Sequence, residues 1–127
     1  MINRVGISAL ICATVIVASG TAFSGAPNGT IGVALPNVKG EWYTPELYGL
    51  TDEAKKLGYD LIVQDAGGYA NVDKQITQVS NLVVKKVKAL VLDAADPAAF
   101  NGVVREVKQA HIPIIAAGTP AKAISTR

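Results

Sequence analysis

The chain has 127 residues; 50% are hydrophobic and 17% charged, and 12 basic against 10 acidic side chains give a net charge of +2. This composition excludes a disordered chain, and the small basic excess argues against nucleic-acid binding. A single cysteine and a single histidine exclude an internal disulfide and multi-ligand Cys or His metal centres, so we expect no metal or other cofactor. The length suits one domain.

The first 22 residues predict a secretory signal peptide. Arg4 precedes an apolar run, 5–17, that is too short to span a bilayer comfortably, and small residues follow it. This pattern predicts cleavage after Ala22, with a later cut after Ala26 as one alternative and an uncleaved membrane anchor as another. Export would place the protein in the periplasm, away from nucleotide-driven chemistry.

Four apolar runs, at 30–35, 60–65, 89–92 and 114–117, predict strands, and each gap between them has room for a helix. Short runs with continuous apolar centres are typical of strands that are buried on both faces of a parallel sheet. A helix between successive strands predicts right-handed βαβ units. The predicted fold class is α/β, a doubly wound parallel sheet with at least four strands. It occupies residues 27–118, and the tail 119–127 has no pattern of its own.

Polar residues at the predicted helix starts fit N-caps. Thr44 is followed by Pro45, and Asp96 by Pro97, so each pair predicts a cap and a first helical position. Asn71 is the predicted cap of the second helix.

Ligands bind doubly wound sheets outside the carboxyl ends of the strands, where four loops should meet: 36–43, 65–70, 93–96 and 117–120. Trp42, Tyr43 and Tyr69 fall in two of these loops. They predict an aromatic-walled pocket for a sugar ring or a methylated cation. The alternative is that these rings fold back onto the rim of the sheet.

Three polar side chains also lie at strand ends. Asp65 could hydrogen-bond a polar ligand, and Asn37 could do the same or form an Asx turn. Asp93 is also a candidate to hydrogen-bond a polar ligand, although the pattern favours a turn residue that opens the loop to Asp96. No phosphate loop, dinucleotide fingerprint or catalytic triad is present, and His111 fits a helix end, so we expect no enzyme.

Several segments resemble the type I periplasmic binding proteins, which include the ribose- and galactose-binding proteins: residues 30–35, 53–63, 87–96 and 109–115. The resemblance implies the N-terminal lobe of a protein that is not an enzyme and traps a small polar solute between two lobes. It implies a monomer that serves a membrane ABC permease or a sensor histidine kinase. Sugar binders of this family carry an Asp-Arg pair after the fourth strand, where this chain has Ala116, Ala117, Gly118 and Thr119.

A narrower resemblance is to the TorT-like periplasmic sensors of trimethylamine N-oxide. It rests on Asp65–Tyr69 with Asn71, and on an adjacent Trp42–Tyr43 pair whose order is reversed. It implies that Trp42, Tyr43 and Tyr69 line a cage for a trimethylammonium-like head. Because family members have two lobes, we also expect a chain truncated before its second lobe, and the alternative function is a non-binding remnant.

Overall fold

The computed structural model describes residues 27–118 together with Ile124. The predicted signal peptide, with either cleavage site, and the tail 119–127 apart from Ile124 lie outside the described residues. The described elements alternate strand and helix along the chain: β1 (Thr30–Leu35), α1 (Tyr43–Lys56), β2 (Asp60–Asp65), α2 (Val72–Val84), β3 (Ala89–Leu92), α3 (Asn101–Gln109) and β4 (Ile114–Ala116). None of these helices is long and apolar enough to cross a membrane.

The four strands form one sheet in the order β2-β1-β3-β4, and every neighbouring pair is parallel. The predicted α/β fold is therefore confirmed. From β1 the chain adds β2 on one side of the sheet, and it then adds β3 and β4 on the other side. The direction in which strands are added therefore reverses between β1 and β3. Their carboxyl ends form the topological switch point, which is the ordinary ligand position in open α/β sheets.

Helices cover both faces of the sheet. On one face, Leu90 and Leu92 of β3 pack with Leu82 of α2 and with Phe100, just before α3, in the larger core. On the other face, Val33 and Leu35 of β1 pack with the side chains of α1. Helix α2 approaches β1 closely, because a Cβ placed on Gly32 would lie 2.9 Å from a methyl carbon of Leu82.

The prediction that the second strand is buried was wrong. Strand β2 lies at the edge of the described sheet and none of its residues is fully buried, with Val63 38% exposed. Ile115 of β4 is 57% exposed at the opposite flank. Val63 is paired with Val33 and Ile115 with Val91, so both exposed residues lie on the sheet face that packs against α1. Among the described helices, α1 alone covers this face, and it covers only the middle, which leaves the two flanks exposed.

Two predicted N-caps were also wrong. Helix α1 begins at Tyr43, so Thr44 lies inside it, where the Thr44 hydroxyl donates to the Gly40 carbonyl. Helix α3 begins at Asn101, and Asp96 instead closes a separate turn by accepting the Ala98 N–H. Asn71 does precede α2, but its amide donates to the Ala66 carbonyl and does not cap the helix.

Candidate functional site

The loops at the carboxyl edge of the sheet are joined by backbone hydrogen bonds. The N–H of Ala66 donates to Leu35 over 3.1 Å, and the N–H of Asp93 donates to Ala34 over 3.1 Å. The N–H of Ala117 donates to Leu92 over 2.9 Å. These bonds extend the parallel ladders one residue beyond the strands, so the loops start from fixed positions.

Tyr43 links three of these loops. Its ring is 7% exposed, and its hydroxyl donates to Oδ2 of Asp93 over 3.1 Å and is hydrogen-bonded to the hydroxyl of Tyr69. A phenol has only one proton, so Tyr69 is the donor to Tyr43 when Tyr43 donates to Asp93. The resulting chain from Tyr69 through Tyr43 to Asp93 connects the ends of β2, β1 and β3.

The surroundings keep Tyr43 in its protonated form. Burial, the hydrogen bond with Tyr69 and the charge of Asp93 raise the pKa of Tyr43 well above its usual range. Tyr43 therefore remains a hydrogen-bond donor at any physiological pH.

Asp93 has a larger part in this network than its sequence pattern predicts. It is 4% exposed, and its carboxylate serves as an acceptor in the tyrosine chain, beyond the turn role that the pattern favoured. Gly118 packs against it with φ of +72°, and a Cβ at Gly118 would lie 2.8 Å from the carboxylate. Only glycine fits this position without displacing Asp93.

Gln75 of α2 fixes the loop that carries Asp93, and sequence reasoning missed it. The side chain is fully buried; its Nε2 donates to the carbonyl of Asp93 over 2.6 Å and to that of Ala34 over 3.3 Å. Its Oε1 accepts the N–H of Ala95 over 2.9 Å. The sequence signal that could have identified Gln75 is a polar residue on the same helical face as the buried apolar residues of α2.

Trp42 lies beside this network and is 71% exposed. It lines an open cavity of about 290 Å³ together with Pro45, Glu46 and Gly118. Burial, and then the charge of Asp93, raise the pKa of Glu46. Tyr69 is 56% exposed, so two aromatic rings at this edge are accessible to a ligand.

Asn37 and Asp65 each hold a local turn. Oδ1 of Asn37 accepts the N–H of Lys39 over 2.8 Å, and Oδ1 of Asp65 accepts the N–H of Gly67 over 2.7 Å. The Asx turn considered for Asn37 is therefore present. A ligand contact through the amide nitrogen of Asn37 or through Oδ2 of Asp65 stays a prediction.

A larger cavity of about 540 Å³ lies at the opposite, amino-terminal end of the sheet. Lys55, Tyr59 and Asp60 are among its lining residues. It is remote from the Tyr43 network, and amino-terminal edges of parallel sheets are not where ligands bind in such folds.

Known proteins resemble the chain over most of its length. The family described as "Periplasmic binding protein domain" matches residues 31–126. The ribose import binding protein RbsB of Escherichia coli K12 is 31% identical over 86 residues, which cover 68% of this chain and 28% of that protein. The chain thus spans less than a third of the length of this relative.

Solved structures of solute-binding proteins also superpose on the chain. An ABC transporter solute binding protein from Bradyrhizobium sp. BTAi1, with bound bis-tris, superposes with a TM-score of 0.70 at 28% identity, covering 76% of this chain and 30% of that chain. A chain of the TorS sensor domain–TorT complex gives a TM-score of 0.61 at 28% identity, covering 69% of this chain and 29% of that chain.

Proposed function

The chain belongs to the periplasmic binding protein family, and from that premise we propose that it captures a small polar solute at the carboxyl edge of its sheet. The ligand is sugar-like or a methylated amine such as trimethylamine N-oxide. The name of the ribose import binding protein supports a sugar-like ligand. The similarity to a chain of the TorS–TorT complex, together with the TorT-like sequence resemblance, supports the methylated amine. No step of this function requires catalysis or a cofactor.

One observation carries the proposal: the hydrogen-bond chain from Tyr69 through Tyr43 to Asp93. It holds two of the three candidate aromatics at the switch point, and Trp42 directly precedes Tyr43. A network anchored on two buried side chains, Tyr43 and Asp93, keeps its members in one arrangement before the ligand arrives.

The aromatic residues have different roles in this proposal. Trp42 and Tyr69 are accessible and contact the ligand, whereas the buried Tyr43 positions Tyr69. An aromatic face attracts a cation by about 0.5 to 2 kcal/mol, depending on desolvation, and it also stacks on apolar faces of sugar rings. Asn37 and Asp65 are proposed polar partners through the atoms that their turns leave unused.

Membership of the family also supports a proposal for where the protein acts and with which partners. We propose that residues 1–22 direct export to the periplasm and that the protein acts as a monomer. In a complete two-lobed protein, the solute would be enclosed as the lobes close. The closed form would then be recognised by an ABC permease or by a sensor histidine kinase.

The test uses Trp42, which is the single tryptophan of the chain. The exported, processed protein is titrated with trimethylamine N-oxide, choline and ribose to millimolar concentration while Trp42 fluorescence is recorded. We expect a saturable change with at least one class, lost in Tyr69→Ala but retained in Tyr48→Ala, which removes an exposed tyrosine from α1. A folded chain that responds to none of these compounds would contradict the proposal and favour the non-binding remnant.

A further inference from the structure

Glu46 is the charged side chain in the wall of the Trp42 cavity. Among the described residues, the lining of that cavity combines the indole of Trp42 with the carboxylate of Glu46, Pro45 and Gly118, none of which is basic. Behind Gly118 lies the buried carboxylate of Asp93. The cavity therefore offers an aromatic face and negative charge to whatever enters it.

In the part of the chain that the structure describes, Glu46 forms no ion pair with a basic side chain. The ion pairs among the described residues join Lys56 to Asp52 and Glu53, about two to three turns further along α1. Partial burial and the nearby Asp93 both disfavour the ionised form of Glu46. A cation in the cavity would favour the ionised form of Glu46 and so offset the burial and the repulsion by Asp93.

The position of Glu46 near the start of α1 offers a simpler explanation, because acids in a first helical turn interact favourably with the helix dipole. That effect requires only an exposed carboxylate in the first turn. It does not account for a carboxylate that shares a cavity with Trp42 and lies in the field of a second acid.

We propose that the Trp42 cavity selects ligands with a net positive charge, such as a quaternary or protonated amine, and that Glu46 determines this specificity. The inference rests on the proposed function and narrows its ligand class. A cation over the indole face is attracted by the ring and by Glu46 together. A neutral sugar would further desolvate Glu46 without pairing its charge. The oxygen of trimethylamine N-oxide would bring a negative partial charge toward the same carboxylate.

The experiment compares choline with its neutral carbon analogue, in which a tert-butyl group replaces the trimethylammonium group. Both are titrated into the protein and into Glu46→Gln, with Trp42 fluorescence as the readout. We expect choline to bind about tenfold more tightly than the analogue, and Glu46→Gln to lose about that factor for choline alone. Glu53→Gln is the matched control, since it removes an exposed acid of the same helix, and we expect no change.

Two results would overturn the inference while leaving the proposed function intact. One is a choline affinity that equals that of the analogue or is unchanged in Glu46→Gln; the other is binding of ribose or trimethylamine N-oxide that is stronger than choline binding. If none of the four compounds changes the fluorescence of the folded protein, the proposed function fails and the inference fails with it. Far-ultraviolet circular dichroism of each variant distinguishes lost binding from lost folding.

Discussion

At the scale of single residues, the hydroxyl of Tyr43 connects elements that are distant in the chain. Its partners Tyr69 and Asp93 lie 26 and 50 positions away. The sequence predicts Tyr43 and Tyr69 as candidates, because aromatic rings in loops are unusual. It does not predict their pairing or the role of Asp93, since contacts between loops depend on strand order, which local patterns do not encode.

Tyr43→Phe tests this network. The substitution keeps the packed ring but removes one hydrogen-bond donor to the buried carboxylate of Asp93. We expect the free energy of unfolding to fall by about 1 to 3 kcal/mol. Tyr69→Phe should have a smaller effect, because Tyr69 is half exposed and water can replace its hydroxyl. Urea denaturation followed by circular dichroism measures both, and equal losses would contradict the described hydrogen-bond chain.

Glu46 should make stability depend on pH. Its pKa is raised in the folded state, so the folded protein holds this proton more tightly than the unfolded chain does. The ionised carboxylate therefore destabilises the fold at neutral pH, and the penalty disappears as pH falls below the usual range of a glutamate.

We expect Glu46→Gln to be more stable than the original protein at pH 7 and equal to it in acid. Thermal unfolding across that pH range measures the difference, with Glu53→Gln as the control. A variant that is less stable at pH 7 would show that the helix dipole outweighs the burial of Glu46.

At the scale of elements, the apolar runs predicted all four strands closely, because strands between helices have few polar positions. The start of α3 was wrong because the Asp96–Pro97 signal is used by a turn that precedes the helix. The burial of β2 was wrong because an apolar run does not reveal whether its strand is central or at an edge.

Gln75→Ala tests how α2 supports the site. The change removes the hydrogen bonds from the side chain to Ala34, Asp93 and Ala95, so the loop after β3 should loosen. We expect a stability loss of about 1 to 3 kcal/mol together with faster hydrogen exchange at the Ala95 amide. Gln78→Ala is the control, since Gln78 donates one bond and its Oε1 has no partner in the described part of the chain. Equal effects of the two variants would contradict the bracing role of Gln75.

At the scale of the whole molecule, the fold places the candidate site residues at the carboxyl edge of the sheet, at the point where the strand order reverses. The family resemblance implies a ligand enclosed between two lobes, and this chain spans 28% of the RbsB relative. A single lobe buries a smaller share of a ligand than an enclosing pair does, so we expect millimolar rather than micromolar affinity for a protein limited to these 127 residues.

Export is a second expectation at this scale. Expressed in a Gram-negative bacterium, the chain should appear in the periplasmic fraction with Phe23 as its first residue, or with Pro27 if the later site is used. Mass spectrometry of the purified protein measures this. An intact N-terminus in the membrane fraction would show that residues 1–22 act as an anchor.

The most direct test of the central claim is to map ligand binding on the backbone by NMR, with choline added to the isotope-labelled chain. We expect shifts of the amide signals in the loops that follow β1, β2 and β3, centred on Trp42, Tyr69 and Asp93, with the amino-terminal edge unchanged. Shifts confined to residues around the 540 Å³ cavity, such as Lys55, Tyr59 and Asp60, would contradict the account and place the binding site at the opposite end of the sheet.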